Sequence, residues 1–265
     1  MTIVQSIIIG IVEGITEFIP ISSTAHMRIT ESIMGLNLKD QFTEAFTVAI
    51  QLGAILSVVV LYWKKFFDVS KLNFYVKLVV AVIPALIFGL LFSKKIDAIL
   101  EKPLIIAIIM LAGGIILLFV DKWFVNPVIH REREINLATA FKIGLYQCLA
   151  IVFPGLSRSA ATIIGGMSLK LTRAAAAEFS FFLAVPTMLA ATVYKLYKFT
   201  KENGAFTGEE IKLLSIGNVT AFIVALLAIR FFISFLKKHG FRIWGIYRII
   251  VGTFLLFLIW QGFIS

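Results

Sequence analysis

Charged residues are scarce in this sequence. They make up 15% of its 265 residues, whereas hydrophobic residues make up 60%. A soluble domain carries about 25% charged and roughly 45–50% apolar residues. The composition therefore excludes a soluble enzyme, a disordered chain and a nucleic-acid-binding module, and it predicts a protein that crosses the membrane several times. A β-barrel is disfavoured because the apolar stretches are continuous rather than alternating.

Cysteine is almost absent, since Cys148 is the only one. A single cysteine excludes a disulfide framework within the chain and a zinc site built from cysteines. The first residues also lack the basic segment of a secretory signal peptide, and Glu13 and Glu17 interrupt the apolar run that follows. We therefore expect this segment to belong to the mature protein.

The charges that are present are mostly positive, with 25 Lys and Arg against 15 Asp and Glu and a net charge of +10. In an apolar chain, this excess is typical of loops that fix topology and meet anionic head groups, and we expect no nucleic-acid partner. The loops within 64–71, 122–133 and 237–242 belong to the slightly more basic side. This side is predicted to be cytoplasmic, which places both termini outside.

Six stretches lack charge and are long enough, or nearly so with their flanks, for a membrane-spanning helix of about 20 residues. They are 45–63, 78–93, 103–120, 179–194, 213–229 and 249–265. Two further apolar segments, 3–33 and 137–169, contain charges and are each interrupted by a proline followed by serine. Each is predicted to be a re-entrant hairpin of two short helices. The expected fold class is an all-α polytopic membrane protein.

The two halves of the chain resemble each other. A shift of 134 residues places Pro20 on Pro154 and Ser23 on Ser157. The other identities are Ile9 with Ile143, Gly10 with Gly144, and Glu44 with Glu178. Within a single membrane domain, the repeats 1–131 and 132–265 then each hold one hairpin and three spans. Because three spans are an odd number, the repeats must be inverted, and such repeats place their site near the membrane midplane.

Glu13 and Glu17 are four positions apart and share one helix face. Carboxylates in an apolar membrane segment are costly and need a reason. We interpret the pair as a metal site or a general acid–base pair. The alternative is an interfacial helix whose acidic side chains face water.

A run of hydroxyl residues, Ser22, Ser23 and Thr24, follows the first break. One of them is expected to cap the next helix, and the amino terminus of that helix is a potential anion site. His26 lies on its first turn. A lone membrane histidine can be a buried hydrogen-bonding residue, but beside Glu17 and the hydroxyls we interpret it as a nucleophile or general acid–base group.

The second break carries Arg158, the only charge between Lys142 and Lys170. Arginine is the preferred bidentate phosphate ligand. Its structural alternative is an ion pair with Glu13 or Glu17, and such a pair can also open to phosphate. Further hydroxyl donors are Ser157, Ser159 and Thr162. Together, the acids, hydroxyls, histidine, arginine and helix ends indicate phosphoryl transfer on a lipid phosphate.

Two motifs make the sequence similar to a known family. Residues 13–26 and 154–159 resemble the signature motifs of the undecaprenyl-diphosphate phosphatase, or bacitracin-resistance protein, family, and residues 49–53, 165–167 and 178–186 also match. The resemblance covers nearly the whole chain. It implies a bacterial inner-membrane enzyme that removes one phosphate from undecaprenyl diphosphate. This reaction recycles the lipid carrier for peptidoglycan and other envelope polymers and confers bacitracin resistance.

The resemblance also implies which residues act and where. The family's functional acids, histidine and arginine fall on Glu13, Glu17, His26 and Arg158, and its hydroxyls fall on the run 22–24. It implies a divalent cation, magnesium or calcium, and a site that opens to the periplasmic side. One departure is visible, because an acid is expected shortly before residues 50 and 51. The sequence has Thr47 there, with Glu44 one turn away.

The chemistry leaves alternatives open. The attacking group is Ser23, His26 or an activated water, while Glu13 and Glu17 hold the cation or polarise the attacking group. A lipid-phosphate transporter or flippase would use the same arginine and helix ends. The acid pair and the histidine favour hydrolysis, since binding alone would not need them. The expected partners are the lipid substrate and the surrounding bilayer, with a homodimer left open.

Overall fold

The computed structural model describes residues 1–37, 40–68, 71–100 and 102–264. Within these ranges it describes the side chains of all residues except 93–100. Twelve α-helices lie within these residues. They are α1 (Ile3–Thr16), α2 (Ser23–Ile33), α3 (Gln41–Ala49), α4 (Gln51–Leu61), α5 (Trp63–Phe66), α6 (Leu72–Leu100), α7 (Pro103–Trp123), α8 (Leu137–Val152), α9 (Arg158–Ser168), α10 (Arg173–Asn203), α11 (Gly208–His239) and α12 (Arg242–Trp260). The predicted all-α class is confirmed.

In the described part of the chain, six helical stretches are long and apolar enough to cross a membrane. They are α3 with α4 (Gln41–Leu61), Leu72–Phe92 of α6, and helices α7, α10, α11 and α12. Each overlaps one predicted stretch, so the multi-pass architecture is confirmed. The last span is Arg242–Trp260 rather than 249–265, and residue 265 lies outside the described residues. The difference arises because Arg248 lies inside this span, whereas the sequence criterion required a stretch without charge.

The segments predicted as hairpins each consist of two short helices separated by a turn, α1 with α2 and α8 with α9. Ser22 caps α2 and Ser157 caps α9, and both have a positive φ, of 72° and 75°. A positive φ is uncommon for serine, and backbone strain of this kind is concentrated at functional sites. The two breaks therefore share one local geometry, while their re-entrant course through a bilayer stays a prediction.

The residue-by-residue correspondence of the two segments differs from the predicted one. Thr2 and Asn136, which cap α1 and α8, obey the shift of 134 residues. The caps of the following helices are Ser22 and Ser157, so Ser157 corresponds to Ser22 rather than to Ser23. The second segment has two residues between Pro154 and its cap, whereas the first has one residue between Pro20 and its cap, and a constant shift along the sequence does not show this.

Each half places its first short helix against a span of the other half. Helix α1 packs along α11, and α8 packs along α6. Glycines allow both close approaches, because a Cβ atom at Gly10 would lie 2.8 Å from the carbonyl oxygen of Gly217, and one at Gly144 would overlap the carbonyl of Ala81. Because each short helix packs against the other half, the two breaks lie in the same region of the protein. The inverted relation of the halves stays a prediction.

Candidate active site

Three of the predicted residues meet where the two breaks converge. Glu17 follows α1, Ser23 begins α2 and Arg158 begins α9. A terminal guanidinium nitrogen of Arg158 lies 3.1 Å from Glu17 Oε1, and the Ser23 hydroxyl donates to Glu17 Oε2 at 2.6 Å. The ion pair is largely buried, with side-chain exposures of 13% for Arg158 and 7% for Glu17. A hydroxyl, a carboxylate and a guanidinium are thus in direct contact.

The guanidinium of Arg158 is held from several sides and keeps unused donors. One terminal nitrogen donates to the carbonyl oxygen of Ser180 at 3.0 Å, and the group lies 6.0 Å from the ring centre of Phe18. Its Nε atom is buried and has no hydrogen-bond partner among the described residues. Because a guanidinium has five N–H donors, Arg158 can bind phosphate oxygens without losing its support from Ser180.

The hydroxyls of the second break are engaged inside the protein. Ser157 caps α9 and lies 2.9 Å from the Ser159 hydroxyl, which donates to the carbonyl oxygen of Ile19 at 3.0 Å. Thr162 contacts the Ser180 hydroxyl at 2.6 Å. These contacts brace the second break against the first break and α10. A direct role of the hydroxyls in phosphate binding stays a prediction.

The first break provides hydroxyls of two kinds. The Ser22 side chain accepts the backbone N–H of Ala25, so the predicted capping role falls on Ser22. Ser23 and Thr24 lie half-buried on the first turn of α2. Ser23 is the one in contact with the Glu17 carboxylate, and Thr24 stays a predicted phosphate ligand at the same helix end.

Glu13 is fully buried, with an exposure of 0%. In the described structure, neither of its carboxylate oxygens has a hydrogen-bond partner. It lies one turn before Glu17 and within Coulombic range of Glu17 and Arg158. Buried polar atoms are normally satisfied, and unpartnered carboxylate oxygens fit a hard cation such as magnesium or calcium.

The donor set for such a cation is small. No cluster of three or more His, Cys, Asp or Glu side chains among the described residues is placed to hold a metal. The protein would therefore supply Glu13 and Glu17, while phosphate and water oxygens would complete the coordination. Magnesium is commonly bound in this way, through one or two carboxylates plus substrate phosphates. The residues present fit the group that the family resemblance implies.

His26 lies on the same turn of α2 as Ser23, but in the described structure its ring is hydrogen-bonded to neither Glu17 nor Arg158. Its Nδ1 is 2.7 Å from the carbonyl oxygen of Ser22, and its Nε2 is 2.8 Å from the Tyr247 hydroxyl. Because a carbonyl only accepts, Nδ1 carries a proton, and in the neutral ring Nε2 accepts from Tyr247. The two rings are stacked at 5.6 Å with an interplanar angle of 4°.

Helix α12 supplies two residues that the sequence analysis did not select, Tyr247 and Arg248. Tyr247 binds His26, and Arg248 donates to backbone carbonyls of both breaks. The signal for Arg248 was available, since an ionisable residue inside a membrane segment indicates function by default. Arg248 was missed because the predicted charge-free stretch, 249–265, begins one residue after it.

A carboxylate does lie next to Thr47, the position where an acid was expected. The Thr47 hydroxyl donates to Oε1 of Glu31 at 2.7 Å, and Glu31 is nearly fully buried. Glu31 comes from α2, and Arg28 on the same helix lies 3.8 Å away. Glu44, the acid one turn from Thr47, instead pairs with Lys195.

The fold and this site define a class, a polytopic membrane protein with an acid–hydroxyl–guanidinium site between two broken helical segments. Within that class the family is shown by comparison. The family model described as "Bacitracin resistance protein BacA" matches residues 6–254, and the chain belongs to this family. The resemblance predicted from the two motifs is confirmed.

Individual relatives agree over nearly the whole length. A protein of Flavobacterium psychrophilum named undecaprenyl-diphosphatase is 58% identical over 258 residues, covering 97% of this chain and 96% of its own. The protein of Flavobacterium johnsoniae with the same name is 56% identical, and the match again covers 97% of this chain and 96% of the relative. The undecaprenyl-diphosphatase of Aquifex aeolicus is 44% identical and covers 95% of this chain and 96% of its own.

Proposed function

We propose that this chain is a membrane phosphatase that hydrolyses undecaprenyl diphosphate to undecaprenyl phosphate and inorganic phosphate. The observation that carries the proposal is the contact of Ser23 and Arg158 with one carboxylate, that of Glu17. The names of the relatives supply the substrate. The enzyme acts in the bacterial inner membrane with its site open to the periplasmic side. It recycles the lipid carrier for cell-wall synthesis and thereby confers bacitracin resistance.

The reaction starts when Arg158 exchanges Glu17 for the diphosphate of the substrate. Ser23 then attacks the terminal phosphorus as its proton moves to Glu17, which already accepts the Ser23 hydrogen bond at 2.6 Å. An O–P bond to Ser23 forms while the P–O bond to undecaprenyl phosphate breaks. A water molecule then attacks the phosphoserine: its oxygen bonds to phosphorus as the bond to the Ser23 oxygen breaks, Glu17 returns its proton to the Ser23 oxygen, and both protons of the water leave with inorganic phosphate. Hydroxyl nucleophiles need such an adjacent base, and Arg158 stabilises the transferring phosphoryl group.

His26 is the other side chain that could attack. Its Nε2 is engaged by the Tyr247 hydroxyl and its Nδ1 by the Ser22 carbonyl. Neither nitrogen is free until one of these bonds breaks, whereas Ser23 is already next to a base. We therefore assign attack to Ser23, and we assign to His26 the orientation of the first turn of α2.

The divalent cation, magnesium or calcium, belongs to the same proposal, with Glu13 and Glu17 as its protein ligands. When bound, it supplies neutralisation of the charge on the phosphate oxygens. The support is the fully buried Glu13 carboxylate, which lacks a hydrogen-bond partner in the described structure.

Chelation of divalent cations is expected to abolish phosphate release, and added magnesium or calcium should restore it. The variant Glu13→Gln should need a higher cation concentration for half-maximal activity, because an amide is a weaker ligand than a carboxylate. Glu44→Gln is the matched control, since Glu44 is an acid of the first half that pairs with Lys195. A cation titration of both variants checks this, and an unchanged midpoint for Glu13→Gln would remove Glu13 from the ligand set.

The prenyl chain has a suitable place next to the site. An apolar groove of about 370 Å³ lies between α1, α11 and α12. It is lined by Ile15, Ile19, Ile21, Val224, Leu227, Ala228, Phe231, Trp244 and Tyr247. Tyr247 belongs to both the groove and the His26 hydrogen bond. A chain that leaves the diphosphate at the first break can therefore enter the groove directly and continue into the bilayer.

Substitution Leu227→Trp is expected to fill the groove and to raise KM for a long prenyl diphosphate. Leu227 is 64% exposed and lines the groove, while Val219 on the same helix is 58% exposed and does not. Val219→Trp is thus the matched control and should leave KM unchanged. Steady-state phosphate release from long-chain and short-chain prenyl diphosphates measures the effect. An equal response of the two variants would show that the chain lies elsewhere.

A transporter is the second candidate function, because inverted repeats with broken helices are typical of transporters. The supporting observation is that α1 of repeat 1–131 packs on α11, and α8 of repeat 132–265 packs on α6. Phosphate release from undecaprenyl diphosphate by the detergent-purified protein decides between them, since no gradient exists in detergent. Hydrolysis predicts steady release, and a pure flippase predicts none.

A further inference from the structure

We infer that Arg248 is a positioning residue for the reaction, because it fixes the two helix breaks relative to each other and thereby brings Ser23 and Glu17 to Arg158. This inference rests on the proposed function, since it concerns the same site. It assigns Arg248 no contact with the substrate.

Arg248 is the largest fully buried side chain of the described structure, with an exposure of 0%. Its guanidinium donates to the carbonyl oxygens of Pro20 at 3.1 Å, Gly155 at 2.9 Å and Leu156 at 2.9 Å. Its Nε donates to the carbonyl oxygen of Met110 in α7 at 3.2 Å. One planar group thus connects the first break, the second break and a spanning helix.

The chemistry of these contacts is unusual for a buried charge. Buried arginines are normally paired with carboxylates, because the loss of hydration is costly. Every partner of Arg248 in the described structure is instead a backbone carbonyl. Carbonyls of turns lack the partners that helical carbonyls have, so the guanidinium satisfies several of them at once and leaves its positive charge between the breaks.

Three of the four carbonyls that Arg248 binds lie within three residues of Ser23 or Arg158 along the chain. Pro20 precedes the cap and first residue of α2, where Ser23 stands, and Leu156 precedes the cap of α9, where Arg158 stands. A shift of the Arg248 guanidinium therefore moves both breaks, and it changes the distance between the Ser23 hydroxyl and the Arg158 guanidinium. A misplacement of about 1 Å can cost about 100-fold in rate.

Gly113 of α7 offers a way to displace Arg248 without removing it. A Cβ atom at Gly113 would overlap a terminal guanidinium nitrogen and lie 3.0 Å from Cζ of Arg248. Gly89 of α6 is the matched control, because it is also a glycine inside a membrane-spanning helix and a Cβ atom there meets nothing within 4 Å. Both Gly→Ala changes have the same effect on helix propensity. A difference between their kcat values therefore reports the displacement of the Arg248 guanidinium.

The experiment measures kcat, KM and the thermal unfolding midpoint of full-length Gly113→Ala, Gly89→Ala and Arg248→Lys in detergent, with undecaprenyl diphosphate as substrate. We expect Gly113→Ala to lower kcat about 100-fold, with KM and the midpoint close to those of Gly89→Ala. Arg248→Lys should lower kcat as well, because an ammonium keeps the charge but lacks the planar fork that reaches separate carbonyls. Should Gly113→Ala not fold, kcat of Arg248→Lys decides in its place.

A combined variant separates positioning from general stability. If Arg248 acts through Ser23, adding Gly113→Ala to Ser23→Ala should not lower the residual rate further. A kcat of Gly113→Ala equal to that of Gly89→Ala overturns the inference, and so does a full additive loss in the combined variant. Wild-type activity of Ser23→Ala alone would instead contradict the proposed nucleophile, so the two failures are distinguishable.

Discussion

Replacement of Arg158 by alanine is expected to lower kcat/KM for undecaprenyl diphosphate by about 10³- to 10⁵-fold, the range found for arginines that stabilise a transferring phosphoryl group. Arg158 is the ion-pair partner of Glu17 and has an unpartnered Nε in the described structure. Its loss removes the phosphate ligand and leaves the Glu17 carboxylate to repel the anionic substrate. Initial rates of phosphate release in detergent give the measurement.

Two comparisons make this result specific. Arg158→Lys should recover only part of the rate, because lysine keeps the charge without the bidentate geometry. Arg173→Ala removes another arginine with a carboxylate partner, Asp121 at 2.6 Å, and should leave the rate of the folded protein near that of the wild type. An Arg158→Ala enzyme that is folded and within tenfold of wild type would contradict the assigned phosphate site.

The second large effect is expected from Ser23→Ala, which should lower kcat by about 10⁴-fold or more, as removal of a nucleophilic serine does in other hydrolases. The hydroxyl of Ser23 contacts Glu17 at 2.6 Å, and alanine leaves that base without a nucleophile. Ser32→Ala is the control on the same helix, since its hydroxyl binds the carbonyl of Phe263. Rates normalised to folded protein report the difference.

A chemical readout supports the kinetics. Protein quenched during turnover should carry one phosphoryl group on the peptide that contains Ser23, and Ser23→Ala should not. A phosphoryl group found on His26 instead, together with retained activity of Ser23→Ala, would transfer the role of nucleophile to the histidine.

The scarcity of charge made the fold and the contact between Glu17 and Arg158 predictable from the sequence. Charged groups are costly in a membrane, so Glu17 and Arg158 stood out in segments that were otherwise apolar. The alternative role predicted for Arg158, an ion pair with Glu13 or Glu17, is observed with Glu17 at 3.1 Å. The six spans were predictable for the same reason, because a charge-free helix of about 20 residues matches the thickness of the hydrocarbon core of a bilayer.

Other features of the site could not be predicted, because they leave no pattern in the sequence. All hydrogen-bond partners that the described structure shows for Arg248 are backbone carbonyls, which every residue possesses, so side-chain identities could not indicate them. The contact between Glu31 and Thr47 joins two helices whose relative placement only tertiary packing defines. The extra residue between Pro154 and Ser157 was not predicted either, because a constant shift along the sequence cannot represent a local insertion.

The central claim is that Glu17 and Ser23 act as one reacting unit, and a double-mutant cycle on phosphate release tests it most directly. Glu17→Gln, Ser23→Ala and the double variant are measured in detergent, with Glu44→Gln as a control acid from another ion pair. Groups that act as a unit give losses that do not add, so the double variant should be about as slow as the slower single variant, while Glu44→Gln stays near wild type. Fully additive losses, or a folded Glu17→Gln enzyme with wild-type rate, would contradict the account.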